Sequence, residues 1–225
     1  MKICIIGFPR SRSSVLIETI SLFYNIPIIG EDINDHRNFM ENFLIEISNF
    51  DNGIIRFHPT HLMSYPEILE DYPKLINLEL LKFEQYDKIF FSYRNVSGYV
   101  SSLVIAEQLG KYTYQSVNDL ETDIPTMCFS PAPQSNHKLI LKDYINSELI
   151  VKDIKEHLKR LNIPSIDLYY EDVPDYLMNN FPNTKSFHIE TNYDYKGIFT
   201  NYSEIEVFYN KLKPEVIKKY QHHNG

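Results

Sequence analysis

The sequence predicts an α/β fold: a central parallel sheet of four to five strands, flanked by helices in a three-layer sandwich. Three observations carry that expectation. Short apolar runs alternate with longer segments of helical periodicity, the pattern that builds strand–helix–strand crossovers. The first run, Ile3-Cys4-Ile5-Ile6, passes through Gly7 into a hydroxyl-rich loop and then a helical pattern. At 225 residues, with 43% apolar and 14% aromatic side chains, the chain can bury one sizeable core and is too apolar for global disorder. One domain over residues 1–225 is therefore expected.

The elements follow in order. Residues 3–7 form the first strand, and Leu16, Ile20 and Phe23 recur at helical spacing over Ser13–Tyr24. Pro27 and Gly30 mark 25–35 as a connection, and 39–50 reads as an amphipathic helix. Asn52-Gly53 is a turn signal before a strand at 54–57. Residues 66–83 look helical in pieces, broken near Pro73, and Lys88–Tyr93 is the third strand. A helix over 97–110 stops at Gly110. Residues 111–137, polar and carrying Pro125, Pro131 and Pro133, read as a flap or acceptor-side loop. A long amphipathic helix covers 138–161, with Tyr144, Ile145, Leu149, Ile154, Leu158 and Leu161 inward. A fourth strand at 166–170 precedes C-terminal helices at about 204–212 and 214–220.

Composition narrows the function classes. A net charge of −8 argues against general nucleic-acid binding and, unless basic residues concentrate in the cleft, against a strongly acidic acceptor. The two cysteines, Cys4 and Cys128, form no disulfide framework, which fits a reducing compartment. The chain opens directly into a strand, without a charged leader or a run of 18 apolar residues. A cytoplasmic protein without a membrane span is expected. No Cys/His cluster has metal-ligand spacing, so no metal is expected.

The chemistry concentrates at residues 7–16, Gly-Phe-Pro-Arg-Ser-Arg-Ser-Ser-Val-Leu. Strand, tight turn and helix start present backbone N–H groups to a phosphate. Against the Walker pattern GxxxxGK[ST], Arg12 replaces the second Gly and Ser13 replaces the Lys. ATP or GTP hydrolysis thereby loses its main cationic ligand. The Pro-Arg-Ser followed by small hydroxyl residues resembles the 5′-phosphosulfate loop of sulfotransferases that use 3′-phosphoadenosine-5′-phosphosulfate (PAPS). Further segments resemble the same family in the same order. Tyr93-Arg94-Asn95 ends a strand, with Ser102 eight residues beyond Arg94, and looks like its 3′-phosphate site. Arg56-Phe57-His58 looks like the Lys-Thr-His of cytosolic members, in which His is the base and Lys contacts the transferring group. His61, on the same turn, is a weaker rival. Gly30-Glu31-Asp32 resembles the Gly-Glu-Glu of tyrosylprotein sulfotransferases, one residue out of register, which makes Glu31 a second candidate base. Tyr169-Tyr170-Glu171-Asp172 resembles a late-strand family marker with a mainly structural role near the nucleotide loop. Asp194-Tyr195-Lys196-Gly197 is similar to a C-terminal segment, but the Arg-Lys-Gly that normally precedes it and closes over the 3′-phosphate is missing.

The resemblance implies a P-loop fold and a PAPS-dependent sulfotransferase acting on a hydroxyl acceptor: carbohydrate, phenol or peptide. It implies that Arg10, Ser11, Arg12, Ser13 and Ser14 hold the 5′-phosphosulfate, Arg94 and Ser102 the 3′-phosphate, and Lys196 the closing side. His58 or Glu31 would be the base, with Arg10 and Arg56 stabilising charge on the moving group. Two other readings stay open: a P-loop small-molecule kinase, and a non-catalytic nucleotide-binding descendant.

Overall fold

The computed structural model describes residues 1–29, 50–64, 74–109, 127–130, 136–182, 184 and 198–224. Its centre is a five-stranded, all-parallel sheet. The strands are β1 (Lys2–Gly7), β2 (Ile28–Ile29), β3 (Gly53–Phe57), β6 (Lys88–Tyr93) and β7 (Ile166–Tyr169), in the order β2-β3-β1-β6-β7. A small antiparallel ribbon pairs β4 (Met63–Ser64) with β5 (Lys74–Leu75). The helices are α1 (Ser13–Tyr24), α2 (Val96–Leu109), α3 (His137–Arg160), α4 (Val173–Asn180) and α5 (Glu204–Asn224).

Alternation along the strands sorts the core into two layers. Ile3 and Ile5 of β1, Ile54 of β3 and Phe90 of β6 pack with Leu16, Ile17 and Ile20 of α1 and Leu177 of α4. Cys4, Ile6, Ile55, Phe57, Ile89 and Phe91 face the other way, onto α2, α3 and α5. Helices thus cover both faces of the sheet. Among the described residues, no helix is long and apolar enough to cross a membrane.

Strand order locates the crevice. From β1 the chain runs through α1 toward β2 and β3 on one side; from β6 it runs through α2 and α3 to β7 on the other. The two connections diverge beyond the carboxyl ends of β1 and β6, which opens a gap there.

Several expectations are corrected. The expected connection at 25–35 contains β2, which exists because Ile28 and Ile29 pair with Ile54 and Ile55. The expected break at Pro214 does not occur: α5 runs through it, keeping Ile205, Leu212, Val216 and Tyr220 on one buried stripe. Leu161 does not point inward; it lies past the last turn of α3, 41% exposed. Of the expected helix at 39–50, only Phe50 is among the described residues, and it is buried.

The expected flap at 111–137 is docked at its far end. Met127 bridges Phe199 in parallel fashion, and Phe129 is 1% exposed. Asn201 grips both sides of the Phe129 peptide: its Oδ1 accepts from Phe129 N, and its Nδ2 donates to Phe129 O, each at 2.8 Å. Residues 110–126 and 131–135 lie outside the described residues.

His137 completes this docking. Its ring stacks on Phe129, and its Nδ1 accepts from Ser130 N at 2.9 Å, which requires that nitrogen to be unprotonated. Burial lowers the His137 pKa, with Glu107 opposing it. The folded state therefore binds the proton more weakly than the unfolded chain. Stability from this contact is complete above the ordinary imidazole value near 6.5 and falls as the pH drops below it. In urea melts between pH 7.5 and 5.5, His137→Gln should show a weaker acid-induced loss of stability than the parent. An unchanged loss would assign it to other groups.

Candidate functional site

The crevice is built on a loop with two strained residues. Phe8 N continues the ladder by donating to Ser92 O at 2.9 Å, and Ser11 N closes a turn onto Phe8 O at 3.2 Å. Between and after them, Arg10 and Arg12 both stand at φ 63°, in the left-handed region. For a residue with a Cβ, that region costs roughly 1–2 kcal/mol. Arg12 occupies the position where the resembled loop carries Gly, and it supplies the N-cap of α1.

The neighbouring strands hold the loop in this shape. Arg94, just beyond β6, donates from Nη1 to Arg10 O at 2.6 Å. Ser92 Oγ donates to Ser11 O at 2.7 Å in a buried contact. Arg12 Nη1 reaches past the end of β7 to Tyr170 O at 2.9 Å. The Arg12 and Arg94 guanidinium carbons lie over the Tyr170 ring, 3.9 and 4.2 Å from its centroid. Each stack is a cation–π contact as well as a positional restraint. One ring thus positions both guanidinium groups.

Gly7 lets the loop fold back over the strand end. A Cβ there would stand 2.7 Å from Ser13 Cβ and 3.0 Å from Ser13 Oγ. The Ser11 hydroxyl is buried and lacks a hydrogen-bond partner among the described residues. A buried polar atom left in that state is costly unless a ligand completes it. The first turn of α1 adds N–H groups that no α-helix satisfies internally. Ser13 is buried beneath the loop, whereas Ser14 is exposed and accepts from Arg56 Nη1 at 2.5 Å. That bond ties the end of β3 to the start of α1.

His58 approaches from the same end of β3. Its Nδ1 lies 2.6 Å from Gly7 O. A carbonyl only accepts, so Nδ1 carries a proton, and in the neutral ring the lone pair is on Nε2. This is the tautomer that a general base needs, oriented by the residue that opens the loop. The His61 ring sits edge-on to it, with centroids 5.0 Å apart.

Other expected residues fall differently. Asn95 Oδ1 accepts from Gly98 N at 2.7 Å, which makes it the cap of α2. Ser102 is 1% exposed and spends its hydroxyl on Tyr99 O at 3.0 Å, so in this conformation it offers no surface to a ligand. Glu31, Asp32 and Lys196 lie outside the described residues. Tyr170 belongs to the segment read as a structural marker, and its use as a platform for two arginines escaped the sequence reading. The only sequence signal was an aromatic residue at the end of the expected fourth strand.

No protein-family model matches the chain, and no curated protein matches it at a significant level.

The close approach at Gly7 has a measurable consequence. Gly7→Ala should destabilise the protein by about 1–3 kcal/mol in denaturant unfolding, the usual range for overpacking. A loss under about 0.5 kcal/mol, the scale of a surface substitution, would show that the loop does not press on the strand end.

Proposed function

We propose that this chain has a P-loop fold and transfers a sulfuryl group from PAPS to a hydroxyl acceptor. The observation that carries the reading is the Arg94–Arg10 contact. It sets the arginine of the 3′-phosphate motif against the loop of the 5′-phosphosulfate motif, at the switch point of the sheet. The donor suits the residues present: the loop leads into the N-terminus of α1, which offers N–H groups to an anion, and the buried Ser11 hydroxyl calls for a partner. The free thiols of Cys4 and Cys128 support a cytoplasmic setting.

In this reading the α1 N-terminus and the Ser11–Ser14 stretch receive the 5′-phosphosulfate. His58 Nε2 takes the acceptor hydroxyl proton while the acceptor oxygen forms a bond to sulfur. The bond from sulfur to the 5′-phosphate oxygen breaks, and its electron pair leaves with 3′,5′-ADP. Arg10 and Arg56 offset the charge that builds on the sulfuryl and bridging oxygens. Positioning and this fixed electrostatic field supply most of the rate, as in phosphoryl transfer.

Binding is the first test. The parent should bind 3′,5′-ADP more tightly than AMP or ATP–Mg²⁺ in calorimetric titrations. Arg94→Ala should weaken 3′,5′-ADP binding about tenfold or more, because charge-assisted hydrogen bonds contribute roughly 1.5–3 kcal/mol. Equal affinity of the parent for AMP and 3′,5′-ADP would defeat the assignment, and preference for ATP–Mg²⁺ would favour a kinase.

Turnover gives the second test. Loss of a general base typically costs about 10²–10⁴-fold in rate. His58→Ala should fall in that range with 3′,5′-ADP affinity nearly intact, and Glu31→Gln should be milder. The opposite ranking, measured with one acceptor, would transfer the role to Glu31.

A further inference from the structure

Tyr144 touches both segments that build the crevice, although it belongs to neither. It stands about two turns into α3. Its hydroxyl donates to Arg94 O at 3.0 Å in a buried contact. Its ring lies 5.3 Å, centroid to centroid, from that of Phe8 in the loop after β1. Phe8 is flanked in turn by Tyr93 and Tyr99, with centroids 5.7 and 6.4 Å away. One side chain therefore meets the loop with its apolar body and the end of β6 with its polar tip.

Arg94 is held at both ends by this arrangement. Its carbonyl accepts from Tyr144, while its guanidinium donates to Arg10 O and lies over the Tyr170 ring. That carbonyl sits where β6 hands over to α2, in a residue only 6% exposed. A rotation of the peptide would swing the side chain off Arg10, so the bond at one end sets the reach of the other. Helix α5 keeps the Tyr144 ring in place. Tyr209 packs edge-on against it at 5.8 Å and donates from its hydroxyl to Glu148, one turn further along α3, at 2.6 Å. Lys213 donates to the same carboxylate at 3.0 Å. Burial pushes the Tyr144 phenol up, and Glu148 and Tyr209 add to it, so the hydroxyl keeps the proton it donates.

We propose that Tyr144 is a positioning residue for the anion site: its hydroxyl sets the Arg94 peptide and thereby the guanidinium, while its ring sets Phe8. Helix α3 thus aligns the strand end of β6 with the loop after β1. Misplacement of a binding group by a fraction of an ångström is costly, and here a residue remote from the ligand prevents it. The consequence for 3′-phosphate binding rests on the donor assignment above; the hold on Arg94 does not.

Tyr144→Phe removes the hydroxyl and keeps the ring against Phe8. In the ligand-free protein, the Arg94 Nε–H resonance, assigned by its loss in Arg94→Lys, should broaden or shift in Tyr144→Phe. An unchanged resonance would overturn the proposal whatever the ligand is. In calorimetric titrations the variant should bind 3′,5′-ADP about fivefold more weakly and AMP within twofold of the parent. In an Arg94→Ala background the same substitution should change 3′,5′-ADP affinity less than twofold, because its effect passes through Arg94. An undiminished loss in that background, or equal losses for the two nucleotides, would overturn the route through Arg94. A lower melting temperature with unchanged nucleotide preference would assign the hydroxyl to stability alone, and the donor assignment would survive. If the parent shows no preference for 3′,5′-ADP, the donor assignment fails, and the Arg94 resonance alone decides whether Tyr144 positions that side chain.

Discussion

The structure turns on the cost of holding Arg10 and Arg12 in the left-handed region. Left to itself, a loop with two such residues would relax, because neither can adopt that backbone as cheaply as glycine. It is held by bonds that arrive from two other strands: Arg94 and Ser92 from β6, and the Tyr170 carbonyl beyond β7. The parallel order of the sheet makes this possible, since it brings all three strand ends to one edge. A loop so restrained has its N–H groups aimed before any ligand arrives. That preorganisation suits the donor site we propose, because binding energy is not spent on ordering the loop.

Much of the scaffold was legible because local signals agreed with the tertiary outcome. The first helix and the strand Lys88–Tyr93 coincide with their expected limits, where apolar period and flanking signals coincide. What escaped was decided by contacts distant in sequence. Two isoleucines after Pro27 carry no strand signal of their own; pairing with Ile54 and Ile55 makes them one. Pro214 would end an isolated helix, yet the buried stripe on both sides of it keeps α5 continuous. The site divides the same way. Arg10, Ser11, Arg94 and His58 were each visible as motif residues, and the fold brings them to one crevice. The Ser102 hydroxyl was not readable as spent within its own helix. The contact between Arg12 and Tyr170 joins residues 158 apart, and nothing in either neighbourhood announces it.

Charge distribution reconciles an acidic chain with the anionic donor we propose for it. The chain carries 30 acidic against 22 basic side chains. Arg10, Arg12, Arg56 and Arg94 nonetheless lie at or just beyond the carboxyl ends of β1, β3 and β6. Within a Debye length of about 8 Å, local charge outweighs the net value, so this edge of the sheet is locally basic in a chain that is acidic as a whole. Such a surface disfavours polyanions, which must lie against more of the protein than the crevice alone.

The anchorage of Arg12 on Tyr170 has a dynamic corollary. Strand β7 is four residues long and, among the described residues, forms one border of the sheet with a single hydrogen-bonded neighbour. Borders of this kind open locally at a smaller free energy than the centre of a sheet. Whenever that border frays, Arg12 loses both its carbonyl and its ring, and the start of α1 loses the tether that keeps its cap left-handed. The lifetime of the aligned loop is therefore governed by the outermost strand, although the loop itself springs from the middle one. Amide exchange at Ser13 and Ser14 would follow the breathing of β7 more closely than the global unfolding of the domain.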